Sequence, residues 1–139
     1  MADQLLEELY ASYQGDAFGV WLKGSVEKNG ELVTAELIIN DYSRRQSSSG
    51  MSGTVSYSRN FWGSVKREFD KLVCGSSPYE KENEDYYVLG RFYSLATASA
   101  MASSISQMTN IPVYILTPTI ALMLHSLFKI GRNAYCSKV

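Results

Sequence analysis

Residues 18–41 read FGVWLKGSVEKNGELVTAELIIND, and the reading of this stretch decides the fold. At its centre Asn29-Gly30 is the preferred pair for a two-residue type I′ turn, flanked by Phe18–Glu27 and Glu31–Asp41. With Lys28 opposite Glu31, one face gathers Phe18, Val20, Leu22 and Val26 against Asp41, Ile39, Leu37 and Val33. The other face pairs Lys23 with Glu36, Ser25 with Thr34 and Trp21 with Ile38. Alternation and turn chemistry agree on one register, which predicts a β-hairpin.

Outward from that hairpin, the N-terminal residues predict a helix over 3–14, with Asp3 as cap, a stripe of Leu5, Leu6, Leu9 and Tyr13, and Gly15 at its end. Residues 44–53 (RRQSSSGMSG) read as a polar loop, and Thr54–Ser58 as a third strand. Asn60 can cap a helix over 61–73 whose stripe is Phe61, Val65, Phe69, Leu72 and Val73, with Lys66, Arg67 and Asp70 facing water. Residues 75–85 form a second polar connection, and Tyr86–Tyr93 a fourth strand. Ser94 then caps a small-residue helix with Leu95, Ala98, Met101, Ala102, Ile105 and Met108 on one side, ended by Asn110. Ile111–Thr117 reads as a strand, and Thr117-Pro118 as the cap and first residue of a last helix running to Ile130. The order α-ββ-β-α-β-α-β-α predicts one α+β domain over 1–139, a mixed, mainly antiparallel sheet of about five strands with helices packed on it.

Length and composition bound the function. The 139 residues can bury a core without metal or disulfide help. Thirteen basic residues against fourteen acidic ones leave a net charge of -1, which argues against nucleic-acid binding, since that needs a basic surface. A lone histidine and the absence of a CxxC exclude a zinc signature, and no cofactor motif is present. Cys74 and Cys136 could pair, and spacing alone leaves that open. The acidic, amphipathic start MADQLLEELYASYQ is unlike a secretory signal, so a cytoplasmic protein is expected. Val113–Ile130 has the length of a membrane span, yet Pro118, Ser126, His125 and two threonines interrupt it, so core rather than membrane is expected.

Five places could carry chemistry. His125 could act as a general base given a carboxylate such as Glu36 or Asp41, in a small hydrolase; a hydrogen-bonded core-edge histidine is the favoured reading. Cys74 as nucleophile is disfavoured, because a helix C-terminus raises a thiol pKa. Glu36 and Asp41 lack the acidic-x-Lys triplet of a metal-dependent nuclease and read as solvated sheet face. Arg44 and Arg45, before the Gly/Ser loop, could hold a nucleotide-like anion, which makes a small-ligand binding protein the second reading. The densest charge run, Glu80, Glu82, Glu84 and Asp85 beside Tyr79, Tyr86 and Tyr87, reads as a protein-contact surface.

A strand ending in Leu37-Ile38-Ile39-Asn40-Asp41-Tyr42, then a loop, then Ser56-Tyr57 ahead of Phe61-Trp62 and an amphipathic helix to Leu72, resembles small bacterial immunity proteins of contact-dependent growth inhibition systems. The resemblance covers residues 36–72. It implies a soluble cytoplasmic binder that acts by occlusion, and the first reading is then a non-catalytic immunity-type protein that blocks a toxin domain such as a nuclease, with no cofactor expected. The expected partner surface is then the acidic, tyrosine-flanked run.

Overall fold

The structure is a computed structural model that describes residues 2–49, 61–74, 95–130 and 132–136. Among them there is no strand. Seven helices run in order: α1 (Ala2–Ser12), α2 (Ala17–Asn29), α3 (Glu31–Ser49), α4 (Phe61–Cys74), α5 (Leu95–Thr109), α6 (Val113–Ile130) and α7 (Arg132–Cys136). The expected α+β sheet is therefore wrong for every described residue, beginning with the β-hairpin.

Residues 18–41 form a hairpin of helices instead. Asp16, extended at φ -108° and ψ 140°, caps α2 by accepting a hydrogen bond from the Phe18 N–H. Gly30 ends α2 and launches α3: its N–H donates to the Val26 carbonyl at 2.9 Å, and its own carbonyl accepts from Thr34 N at 3.1 Å. Its φ of 92° with ψ of 169° is a conformation open essentially to glycine alone, so Asn29-Gly30 does mark the reversal, of two helices rather than two strands. Ser25 and Thr34 do meet, Oγ to Oγ1 at 2.8 Å, because either kind of tight hairpin brings together residues equidistant from its turn.

The burial pattern explains the outcome. Phe18, Leu22, Ser25 and Val26 are turned inward at helical spacing, as are Glu31, Thr34, Ala35, Ile38, Ile39 and Tyr42. Val20 and Val33, core members in the strand register, are 76% and 48% exposed. Three of the inward positions are polar, which hid the helical stripe. The β-branched residues lose at most about 0.7 kcal/mol each in a helix, whereas burying a large aliphatic side chain is worth about 1.5–3 kcal/mol. Burial decides.

At the other end, Val113–Thr117, expected as a strand, is the first part of α6, and Pro118 sits inside that helix. The helix starts five residues earlier than Thr117-Pro118 suggested because the Pro112 carbonyl accepts from both Ile115 N and Leu116 N. Pro118 removes one backbone donor, while the Thr117 and Thr119 hydroxyls donate to the Val113 and Ile115 carbonyls, each at 2.9 Å. From Pro118 to His125 every residue is buried, so the middle of α6 is covered on all sides and forms the axis of the bundle. Helices α1, α3, α5 and α7 pack on it, and α4 closes over α5 and α3.

Other elements follow expectation more closely. Helix α1 begins at Ala2, so Asp3 lies within it, and Gly15 adopts φ 82° beyond its end. Helix α4 buries Val65, Phe69, Leu72 and Val73 as predicted, together with Glu68, but Asp70 is half-buried rather than facing water. Helix α5 buries Ala98, Met101, Ala102 and Ile105, leaves Met108 52% exposed, and stops where Asn110 turns left-handed at φ 64°. The expected loop at 44–53 is helical through Ser49. The expected strands Thr54–Ser58 and Tyr86–Tyr93 and the caps Asn60 and Ser94 lie outside the described residues.

Cys74, the last residue of α4, and Cys136, the last of α7, form a disulfide with a Cα–Cα distance of 5.6 Å. The same two helices meet through an edge-on contact of Phe69 with Tyr135, centroids 6.1 Å apart, and a hydrogen bond from the Tyr135 hydroxyl to Asp70. Burial pushes the Asp70 carboxyl up despite that bond and Lys66, and burial with the Asp70 carboxylate pushes the Tyr135 phenol well above its ordinary value.

Candidate functional site

A buried polar cluster joins α3 to α6. The two helices run antiparallel, so that the first residue of α3, Glu31, reaches the end of α6. There His125 and Lys129, four residues apart, share a helix face. Glu31 Oε2 accepts from Lys129 Nζ at 2.9 Å and is hydrogen-bonded to His125 Nδ1. The Glu31 and His125 side chains are 8% and 4% exposed, whereas that of Lys129 is 59% exposed.

Burial alone raises the Glu31 pKa. Hydrogen bonds from Lys129, from His125 and from its own backbone N–H at the start of α3 outweigh that cost, as does the field of His125, and hold the carboxyl below its ordinary 4.5. The carboxylate is therefore charged at neutral pH, and it anchors α3 against the bundle axis.

A carboxylate on Nδ1 of a histidine is the arrangement that orients a general base. Here the other ring nitrogen, Nε2, is shut off from solvent. Cys74, the candidate nucleophile, is consumed in the disulfide. The cluster is thus a joint between helices, and the His125 hydrolase reading has no open cleft among the described residues.

The carboxylates considered from sequence are elsewhere. Glu36 is exposed on α3, and its expected partner Lys23 instead lies 6.0 Å from the centre of the Tyr10 ring. Asp41 is bridged by Arg44 at 2.8 Å and Arg45 at 2.9 Å, within the same helix. Arg44 and Arg45 sit on the last turns of a helix, and both guanidinium groups hold the Asp41 carboxylate. Tyr79, Glu80, Glu82, Glu84, Asp85, Tyr86 and Tyr87 lie outside the described residues. Glu31 was missed because the hairpin register set it opposite Lys28 at a turn; the available signal was the His125/Lys129 spacing of four on one helical face.

The described surface offers two further features. An open depression of about 500 Å³ is lined by Glu8, Ser12, Leu95, Ala96 and Ser99. Two of its polar residues serve the fold: Glu8 Oε1 accepts from the Leu95 N–H at 3.1 Å, and the Ser12 hydroxyl donates to the Glu8 carbonyl at 3.0 Å. The second feature is apolar. Val20, Trp21, Val33 and Leu37 are 76%, 42%, 48% and 40% exposed on the α2–α3 hairpin. Trp21 lies one helical turn before Ser25, and Leu37 one turn after Thr34, so the two flank the Ser25–Thr34 contact at the same height. Val20 adjoins Trp21, and Val33 lies one turn from Leu37.

Among the described residues no three His, Cys, Asp or Glu side chains are placed to hold a metal, and no helix is long and apolar enough to cross a membrane. No protein-family model, no curated protein and no solved structure matches the chain.

Proposed function

We propose that the chain is a non-catalytic protein-binding module whose α2–α3 hairpin presents the docking face. The observation that carries this reading is the set of Val20, Trp21, Val33 and Leu37, apolar side chains held at the surface by two rigid helices. A tryptophan with aliphatic neighbours is the composition of an interface anchor. Blockade of a toxin domain is the binding role implied by the resemblance across residues 36–72. In that role the acidic run Glu80, Glu82, Glu84 and Asp85, with Tyr79, Tyr86 and Tyr87, adds charge complementary to a basic nuclease surface. A cytoplasmic location belongs to the same reading.

The test is site-specific photo-crosslinking in the native host, with the reactive side chain at position 21 or, as an off-face control, at position 36. A defined adduct at position 21 that is lost in the Leu37→Lys background supports the face. Equal yields at both positions would overturn it. Co-expression with a toxin domain encoded beside the gene tests the blocking role separately: protection of growth is expected, and its loss on neutralising the four acidic residues.

A further inference from the structure

We infer that the Cys74–Cys136 disulfide is a redox latch on the C-terminal helix, whose opening frees α7 while the bundle around α6 stays folded. Helix α7 has five residues, too few to hold helical structure alone, so its shape depends on what it is tied to. The disulfide sits at the joint of two helix ends, and both cysteines are half-buried rather than sealed in the core. Beneath it, α4 seats Val65, Phe69, Leu72 and Val73 in the same core as α5 and α6, so α4 keeps its own anchorage. Helix α7 also packs on α6, and its side-chain ties to α4 are the Tyr135 hydroxyl on Asp70 and the Tyr135 ring against Phe69, at the edge of that core.

Opening the latch needs a dithiol reductant. One of its thiolates attacks a sulfur of the bond and releases the other cysteine as thiolate. The second reductant sulfur then displaces the mixed disulfide, leaving the reductant as a cyclic disulfide. Two electrons and two protons pass to Cys74 and Cys136. Release of α7 uncovers the Phe69 edge and the Asp70 carboxylate on α4. In a cytoplasm, where dithiols keep thiols reduced and disulfides are mostly transient or sensing, the open form is the resting one and oxidation closes it.

The experiment treats the full chain with dithiothreitol under native conditions. It follows iodoacetamide labelling by mass, far-UV circular dichroism, amide exchange and thermal unfolding. The expected result is two labels per chain, helicity reduced by no more than the α7 turn, and α7 amides exchanging at least ~10-fold faster while those of α5 and α6 are unchanged. The melting temperature should drop by about 15 °C, since the bond no longer shortens the unfolded chain across 62 residues. The Cys74→Ser/Cys136→Ser variant should reproduce the reduced state without reductant. Failure of the thiols to label, unchanged α7 protection, or loss of cooperative structure in either the reduced chain or the double variant would each overturn the latch.

Discussion

Replacing Glu31 by Gln tests the joint between α3 and the bundle axis. The substitution keeps the shape of the side chain but removes the charge that accepts from His125 and Lys129. The His125 contact is buried, and a hydrogen bond to a charged group there contributes about 1.5–3 kcal/mol. Lys129 is 59% exposed, so its share is discounted to under ~1 kcal/mol. The expected loss at pH 7 is then about 2–3 kcal/mol. For 139 residues, at about 2.1 cal/mol/K per residue of unfolding entropy, that is a fall in melting temperature of about 7–10 °C. Lys129→Met alone should cost under ~1 kcal/mol, because the Glu31–His125 bond survives. The pH dependence carries the sign. A folded pKa below 4.5 means the unfolded chain binds more protons as pH falls, so the Glu31 contribution is complete above 4.5 and is lost as pH drops through the folded value. The gap between wild type and Glu31→Gln should therefore narrow in acid. Urea unfolding at pH 7, 5 and 3.5 reads it. A gap under ~0.5 kcal/mol at pH 7, or one that does not shrink toward pH 3.5, would refute the assignment of Glu31 as the charged anchor.

Glycines test the hairpin of helices. Gly30→Ala should cost about 1–3 kcal/mol in urea unfolding, through backbone strain alone, because φ 92° with ψ 169° excludes a side chain although no atom lies within 4 Å of the added Cβ. Gly19→Ala should cost a similar ~1–3 kcal/mol for a different reason: its Cβ would sit 2.4 Å from the Tyr13 carbonyl oxygen, pushing α2 off the turn that follows α1. Gly24→Ala, in open space on α2, should stabilise by about 0.5–1 kcal/mol; destabilisation there would argue against a helix through residue 24. Leu37→Lys, on the exposed face, should leave the melting temperature within about 2 °C while weakening partner capture at least ~10-fold.

How much of this was legible in the sequence varied with how local the cause was. The stripe of α4 was readable because Val65, Phe69, Leu72 and Val73 are apolar and recur at helical spacing, although Glu68 is buried beside them. The small-residue helix α5 and its stop at Asn110 were readable for the same reason, a local pattern with a local terminator. The α3 face was not, because Glu31 and Thr34 interrupt it, and a polar residue at a core position looks like solvent until its partner is known. The candidate chemistry suffered equally: His125 was visible, but the carboxylate it meets lies 94 residues away, and only the antiparallel packing of α3 on α6 brings Glu31 to it.

From the sequence alone came three of the places where the chain turns, though not the break expected at Thr117-Pro118, which lies inside α6. Gly15, Asn29-Gly30 and Asn110 are backbone requirements, set within a residue or two by which side chains tolerate positive φ. The tertiary structure alone decided what runs between the turns. Val20, Leu22, Val26, Val33, Ile38 and Ile39 suit a strand by local preference worth tenths of a kilocalorie, and they became helical because helices seat Leu22, Ile38 and Ile39 in the core around α6 for several times that energy. The pairing of Cys74 with Cys136 and of Glu31 with His125 followed from that packing, since residues distant in the chain meet only once the helices have chosen their neighbours.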